Sequence, residues 1–259
     1  KDTEKDRELK SCDGIVEFKD VTFRYEGAEK PVLEGISFTA KPGETTAVIG
    51  STGAGKSTLL QMIPRFYDVE SGSILIDGVN IQNMKQSTLR NKIGYVPQKA
   101  MLFSGTIAEN MRYGKEEATD EEIHDALETA QASEFVQKRE QGIQSMLEQA
   151  GANLSGGQKQ RLSIARALVR KPQIYLFDDS FSALDYKTDS KLRYALKTET
   201  SNATIIIVAQ RVNTVKDAEK IIVLNEGKIA GVGTHEELLN NNTIYQEIVS
   251  SQENGEVSA

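Results

Sequence analysis

Gly50-Ser51-Thr52-Gly53-Ala54-Gly55-Lys56-Ser57-Thr58 is the stretch on which the reading of this chain turns. It fits the pattern G-x-x-x-x-G-K-[ST]. The apolar run Thr46-Ala47-Val48-Ile49 precedes it and reads as a buried strand, and Thr58-Leu59-Leu60-Gln61-Met62-Ile63 follows it and reads as a helix. Strand, glycine-rich turn and helix start are the context the pattern requires. The glycines let the backbone curl so that successive N–H groups point at one phosphate. The helix N-terminus adds partial positive charge. Residues Ser51 to Thr58 then form a phosphate cradle, in which Lys56 reaches the β- and γ-phosphates and Ser57 ligates Mg²⁺. A merely flexible Gly/Ser loop is the plain alternative, and the flanking elements argue against it. The implied ligand is a nucleoside triphosphate with Mg²⁺.

Working outward, the 259 residues suffice for one large domain or two small ones, and 38% hydrophobic residues can build a core. A net charge of −7 offers no basic field for nucleic acid. No apolar run approaches the ~20 residues of a membrane helix, and no signal peptide is visible. The single Cys12 cannot form an internal disulfide, which fits a reducing setting. Residues 1–13 are almost entirely polar with alternating charge and read as a linker. Residues 249–259 read as a disordered tail. His124 and His235 lack ligand spacing, so no metal beyond nucleotide-bound Mg²⁺ is expected.

Upstream of the loop, Val16, Phe18, Val21, Phe23 and Tyr25 alternate as in a strand, with a slip of phase at Asp20 that suggests a bulge. Residues 31–40 give a second strand and Lys41-Pro42-Gly43-Glu44 a turn. Tyr25 could stack on a base, although its spacing alone favours an ordinary strand tyrosine. Downstream, Pro64 ends the first helix. Residues 73–81 read as a hairpin turning at Asp77-Gly78. A short helix over 88–92 leads to the strand Ile93-Gly94-Tyr95-Val96, which stops at Pro97 with Gln98 at its exit. Residues 119–131 carry Ile123, Ala126, Leu127 and Ala130 on one helical face, with Thr119 or Asp120 as cap.

Leu154-Ser155-Gly156-Gly157-Gln158 leads into a helix over 159–170. A Ser-Gly-Gly turn at a helix start is a second anion-binding element, for the same backbone and dipole reasons. Residues 173–177 form a short apolar strand ending in Asp178-Asp179, and a carboxylate at such an end, near a phosphate loop, holds Mg²⁺. Ser182-Ala183-Leu184-Asp185 opens the next helix, to about Thr198. Thr204–Ala209 is continuously apolar, as in a buried parallel sheet, and ends at Gln210. Residues 220–232 read as a hairpin, and 234–239 and 244–248 as helices. Strand and helix alternate. The predicted class is α/β: a parallel P-loop core with an antiparallel β part and a helical part over roughly 99–168 that carries the second anion element.

Taken together over 14–248, these residues resemble the nucleotide-binding domain of an ABC transporter. Gly50–Thr58 is similar to the Walker A loop, Leu154–Gln158 to the LSGGQ signature, Ile174–Asp178 to Walker B, and Ser182–Asp185 to the D-loop. Gln98 matches the Q-loop glutamine, a ligand of Mg²⁺, and Tyr25 the aromatic residue that stacks on adenine. The resemblance implies ATP and Mg²⁺ as ligands and a head-to-tail pair of such domains, with ATP between the Walker A loop of one and the signature of the other. Two anion-binding elements in one chain then serve two different nucleotides. Residues 103–110 resemble an exporter pattern, and Glu148–Gly151 partly match an exporter loop that touches the membrane domain. The implied partners are a second nucleotide-binding domain and a transmembrane domain N-terminal to Lys1, at the cytoplasmic face of the cell membrane. Nucleic acid is not among them.

Two positions depart from the family pattern. It places a Glu after the Walker B Asp as general base, and this chain has Asp179; it places a His after the next strand, and this chain has Gln210. Asp is one methylene shorter, and a misplacement of about 1 Å can cost about 10²-fold. Gln210 can donate a hydrogen bond to phosphate but carries no charge. Both changes spare binding and weaken hydrolysis. With an intact LSGGQ they resemble the degenerate half of a heterodimeric exporter. The alternatives are an active homodimeric exporter ATPase, a soluble ABC protein, or a P-loop kinase, which would have no use for LSGGQ.

Overall fold

The computed structural model describes residues 14–256. The polar segment 1–13 and residues 257–259 lie outside the described residues. Strands β1 (Val16–Phe23), β2 (Leu33–Ala40) and β3 (Thr45–Ile49) lead to helix α1 (Lys56–Met62). Strands β4 (Ser71–Ile76) and β5 (Val79–Asn80), helix α2 (Gln86–Asn91) and strand β6 (Ile93–Val96) follow. Then come β7 (Gly105–Thr106), helices α3 (Ile107–Arg112), α4 (Asp120–Thr129) and α5 (Ser133–Gln137), strand β8 (Met146–Leu147) and helix α6 (Gly156–Leu168). The last part runs β9 (Ile174–Asp178), α7 (Tyr186–Glu199), β10 (Thr204–Val208), α8 (Val212–Val215), β11 (Lys220–Asn225), β12 (Lys228–Gly233), α9 (His235–Asn241) and α10 (Thr243–Glu256).

The six-stranded sheet has the order β12-β11-β3-β10-β9-β6. It is parallel except for β12, which hairpins back along β11 at one edge. The continuous apolar character of β9 and β10 follows from burial on both faces. Ile174, Leu176, Ile206 and Val208 point into a core shared with α1 and the antiparallel sheet β2-β1-β4-β5. Tyr175, Phe177, Ile205 and Ile207 point the other way, into a core built with α3, α4, α6 and α7. The bulge expected at Asp20 is present: the β1–β2 register shifts between Phe18 and Val21, and Asp20 has φ 50°.

Between β6 and β9 the chain is mostly helical. Buried Asn110 ties the entry to this part together: its Oδ1 accepts from Phe103 N and its Nδ2 donates to the carbonyls of Phe103 and Thr106. The pairing of β7 with β8 brings the 103–110 segment beside Met146–Leu147, next to Glu148–Gly151. Helices α3 and α5 lack a long apolar stripe and escaped the sequence reading.

One expectation is overturned. The tail from 249 is not disordered up to Glu256, because α10 continues through it. Tyr245 and Val249 are buried against the main core and Ile248 packs beside them, so the stripe that starts the helix also anchors its extension.

Candidate nucleotide site

The loop between β3 and α1 is shaped by close approach. A Cβ on Gly50 would lie 2.1 Å from the Leu224 carbonyl oxygen, and Gly55, at φ 98°, has Val32 O at 2.9 Å from the same position. No side chain fits at either place. α1 begins at Lys56, two residues before the expected start, so its first N–H groups, which have no intrahelical acceptor, face the loop. Lys56 is 7% exposed, and its Nζ donates to Gly50 O at 2.7 Å and Ser51 O at 2.8 Å. Burial holds this amine below the ordinary lysine pKa, while the charges of Asp179 and Asp178 oppose the shift.

β9 delivers the two carboxylates. Asp178 is its last residue and is 3% exposed. Ser57 Oγ donates to Asp178 Oδ1 at 2.7 Å, and Tyr95 OH donates to Oδ2 at 3.2 Å. Burial pushes the Asp178 carboxyl up; the hydrogen bonds from Ser57 and Tyr95 pull it down, and Asp179 adds to the rise. The Tyr95 hydroxyl is itself pushed up to about 12, by burial first and Asp178 second. Asp179 is buried at φ 47°, a left-handed conformation that Asp tolerates better than most residues. Its N–H donates to Val208 O, and Gln98 Nε2 donates to its Oδ2 at 3.2 Å. Lys56, Ser57, Gln98, Asp178 and Asp179 therefore lie close together, joined through the two carboxylates. The hydroxyl and carboxylate of Ser57 and Asp178 are the hard oxygen donors that suit Mg²⁺.

Tyr25 stands beside α1, its hydroxyl 2.9 Å from Thr58 Oγ1. Its ring lies edge-on to Phe23 and Tyr67, with centroids 4.9 and 5.3 Å away. Gln210 is exposed at the exit of β10, where Ala209 N donates to Val48 O on the loop-bearing strand.

The second anion element sits apart. Ser155 caps α6: it accepts from Gln158 N, and Gln158 Oε1 accepts from Ser155 N, a closed capping box. The helix thus begins at Gly156 rather than Lys159. Leu154 is buried beneath it, and Gly156 is open to solvent. Gly157 faces the 182–185 segment, where a Cβ would come 3.2 Å from Ala183 O. That segment hangs from the carboxylate strand through Ser182 Oγ to Asp179 O at 2.9 Å. Asp185 caps α7 by accepting from Thr188 N and Oγ1, which hold its carboxyl below the usual range. Among the described residues no hydrogen bond joins Leu154–Gln158 to Gly50–Thr58.

Sequence reasoning missed Tyr95. Its type and spacing are those of any strand tyrosine; only the pairing of β6 with β9, Tyr95 opposite Leu176, shows that it reaches Asp178. It also missed Gln252, whose side chain meets the backbone around Gln210.

A phosphate loop at the end of a central parallel strand, with an acidic residue at the end of a nearby strand, defines a P-loop nucleotide-binding fold. A family profile described as ABC transporter matches residues 33–182. The chain belongs to the ABC transporter family, and its fold is that of an ABC ATPase domain. It is 49% identical over 242 residues to an uncharacterized ABC transporter ATP-binding protein of Mycobacterium tuberculosis, covering 92% of this chain and 41% of that protein. It is 46% identical over 244 residues to a mitochondrial iron-sulfur clusters transporter of Debaryomyces hansenii, covering 93% and 35%. It also matches the structure of a bacterial Atm1-family ABC exporter with ATP bound, with TM-score 0.93, 37% identity, and 97% of this chain and 44% of that chain covered. The chain spans about two fifths of the length of these relatives.

Proposed function

We propose that this chain is the ATP-binding motor domain of an ABC exporter, that its own site hydrolyses ATP slowly, and that its LSGGQ completes a competent site on a different partner subunit. Export follows from ATP-driven head-to-tail pairing with a second nucleotide-binding domain, coupled to transmembrane domains at the cytoplasmic face of the membrane. The observation that carries this reading is Asp179 with Gln210 beside a well-formed signature helix start. Lys56 and the loop N–H groups bind the phosphates, and Tyr25 stacks on adenine. Ser57, Asp178 and Gln98 would hold Mg²⁺, which when bound would supply charge neutralisation at the phosphates. Asp179 accepts the proton of the attacking water from a carboxylate about one methylene too far back, in a role worth about 10²–10⁴-fold. Gln210 steadies the terminal phosphate through a neutral donor. The partner supplies Glu and His at the corresponding positions.

The test is ATP turnover by the full-length protein carrying this chain, with and without Asp179→Glu/Gln210→His. A slow parent that binds ATP, together with a faster double variant, supports the reading. Equal fast rates would sink it.

A second reading, an active homodimeric exporter ATPase, draws on Asp179 itself, a buried carboxylate whose Oδ2 accepts from Gln98 Nε2 at 3.2 Å. If Asp179→Asn abolishes turnover by the whole complex, Asp179 is a working base and this second reading holds.

A further inference from the structure

The end of α10 meets the bend after β10 through one side chain. Gln252 Nε2 donates to Gln210 O at 2.7 Å, and Val212 N donates to Gln252 Oε1 at 2.8 Å. The amide brackets the backbone on both sides of Arg211. Arg211 is the N-cap residue of α8 and makes no side-chain cap of its own. The first N–H groups of a helix need outside acceptors, and Gln252 supplies one from far along the chain. α8 has four residues, too few to hold its own geometry. The bend is therefore fixed from outside.

Gln252 is itself held. Tyr245, Ile248, Val249 and Gln252 are spaced to share one face of α10. Tyr245 is fully buried and its hydroxyl lies 2.8 Å from His235 Nδ1; Val249 is buried in the same core. The apolar stripe of α10 thus ends in a polar residue bonded to the bend after β10. On the other side, Val208 is in register with Val48, so Gln210 leaves the sheet beside the strand that feeds the phosphate loop. A hydrogen bond to the carbonyl of Gln210 restrains the peptide plane that follows its Cα, and with it the backbone from which its side chain departs.

We propose that Gln252 is a positioning residue for Gln210, setting how Gln210 meets the terminal phosphate of the nucleotide. This rests on the reading of Gln210 as the residue that faces that phosphate. Contact with a terminal phosphate favours ATP over ADP whatever the hydrolysis rate, so the preference between the two nucleotides reports it.

The experiment measures competition between ADP and a non-hydrolysable ATP analogue, with Mg²⁺, on the full-length protein carrying this chain. Gln210→Ala should reduce the preference for the triphosphate about three- to tenfold, the worth of one hydrogen bond. Gln252→Leu should reproduce most of that loss. Gln252→Glu keeps the acceptor for Val212 N–H but loses the donor to Gln210 O, and should do the same, which covers the case in which the leucine variant does not fold. The double variant Gln210→Ala/Gln252→Glu should lose no more than Gln210→Ala alone, because the two act through one contact. A normal preference in both Gln252 variants, with faster hydrogen exchange at the Val212 amide, would make the contact a helix cap and overturn the proposal. An unchanged preference in Gln210→Ala would overturn the reading of Gln210 itself, and the proposal with it.

Discussion

Asp178 accepts from Ser57 on one oxygen and from Tyr95 on the other, so two side chains from different elements set its orientation. Groups that orient a metal ligand commonly matter about tenfold or more in metal affinity. On the proposed reading of Asp178 as a Mg²⁺ ligand, Tyr95→Phe should raise the Mg²⁺ concentration needed for half-maximal nucleotide binding by about tenfold, while leaving Mg²⁺-free nucleotide affinity unchanged. Titration of bound fluorescent nucleotide with Mg²⁺ reads this directly. The raised pKa of Asp178 has its own consequence for stability. A carboxyl whose folded pKa lies above its ordinary value of 3.8 gives stability that is present below that value and lost as pH rises through the raised one. Asp178→Asn removes this titration. In nucleotide-free protein the variant should resist urea better than the parent at neutral pH, and the gap should close as pH falls toward 3.8. A pH-independent gap would contradict the burial argument. At this scale the sequence was informative where a residue type has one chemical use in its context, as with Lys56 and Ser57. It was silent on Tyr95, whose hydroxyl gains a role only from the neighbour that β pairing gives it.

Elements begin where a side chain satisfies the free N–H groups of the first turn. Thr119 and Glu122 close a capping box on α4, and Ser155 and Gln158 close one on α6. Thr119 lies outside the nucleotide site. Thr119→Ala should cost about 1 kcal/mol in urea unfolding and leave nucleotide affinity at the parental value. A loss of affinity from this change would mean that α4 couples to the site. The main strands and the long helices α4, α6 and α7 were readable from period and caps. The end of α10 was not. Polar composition after Val249 looks like a tail, but the stripe at Tyr245, Ile248 and Val249 packs on the main core and Gln252 bonds to the backbone of Gln210 and Val212. Helix α3 was missed for its shortness, although Thr106 and Glu109 close a capping box on it, a signal the sequence carries; the bonds of buried Asn110 to Phe103 and Thr106 show only in the fold.

At the scale of the whole molecule, the six-stranded sheet separates two cores, one on each face. Ile206 and Ile207 are neighbours on β10 but belong to different cores. Ile206→Val and Ile207→Val should each cost about 1 kcal/mol, and together they should add to within about 0.5 kcal/mol, because they share no packing partners. Clear non-additivity in denaturant titrations would mean that the two cores respond as one. The same architecture sets the phosphate loop and the LSGGQ helix start on different elements with no hydrogen bond between them among the described residues. By itself the sequence determined the phosphate-loop pattern and the α/β class, because these depend on residue type at fixed local spacing, while Asp179 and Gln210 stood out only against the family pattern that the chain resembles. Tertiary structure alone decided that Gln98 lies on Asp179, that Tyr95 holds Asp178, and that Gln252 grips the bend beyond β10. Each of these joins residues far apart in the chain, and local periodicity carries no record of which distant segments sheet pairing and core packing will bring together.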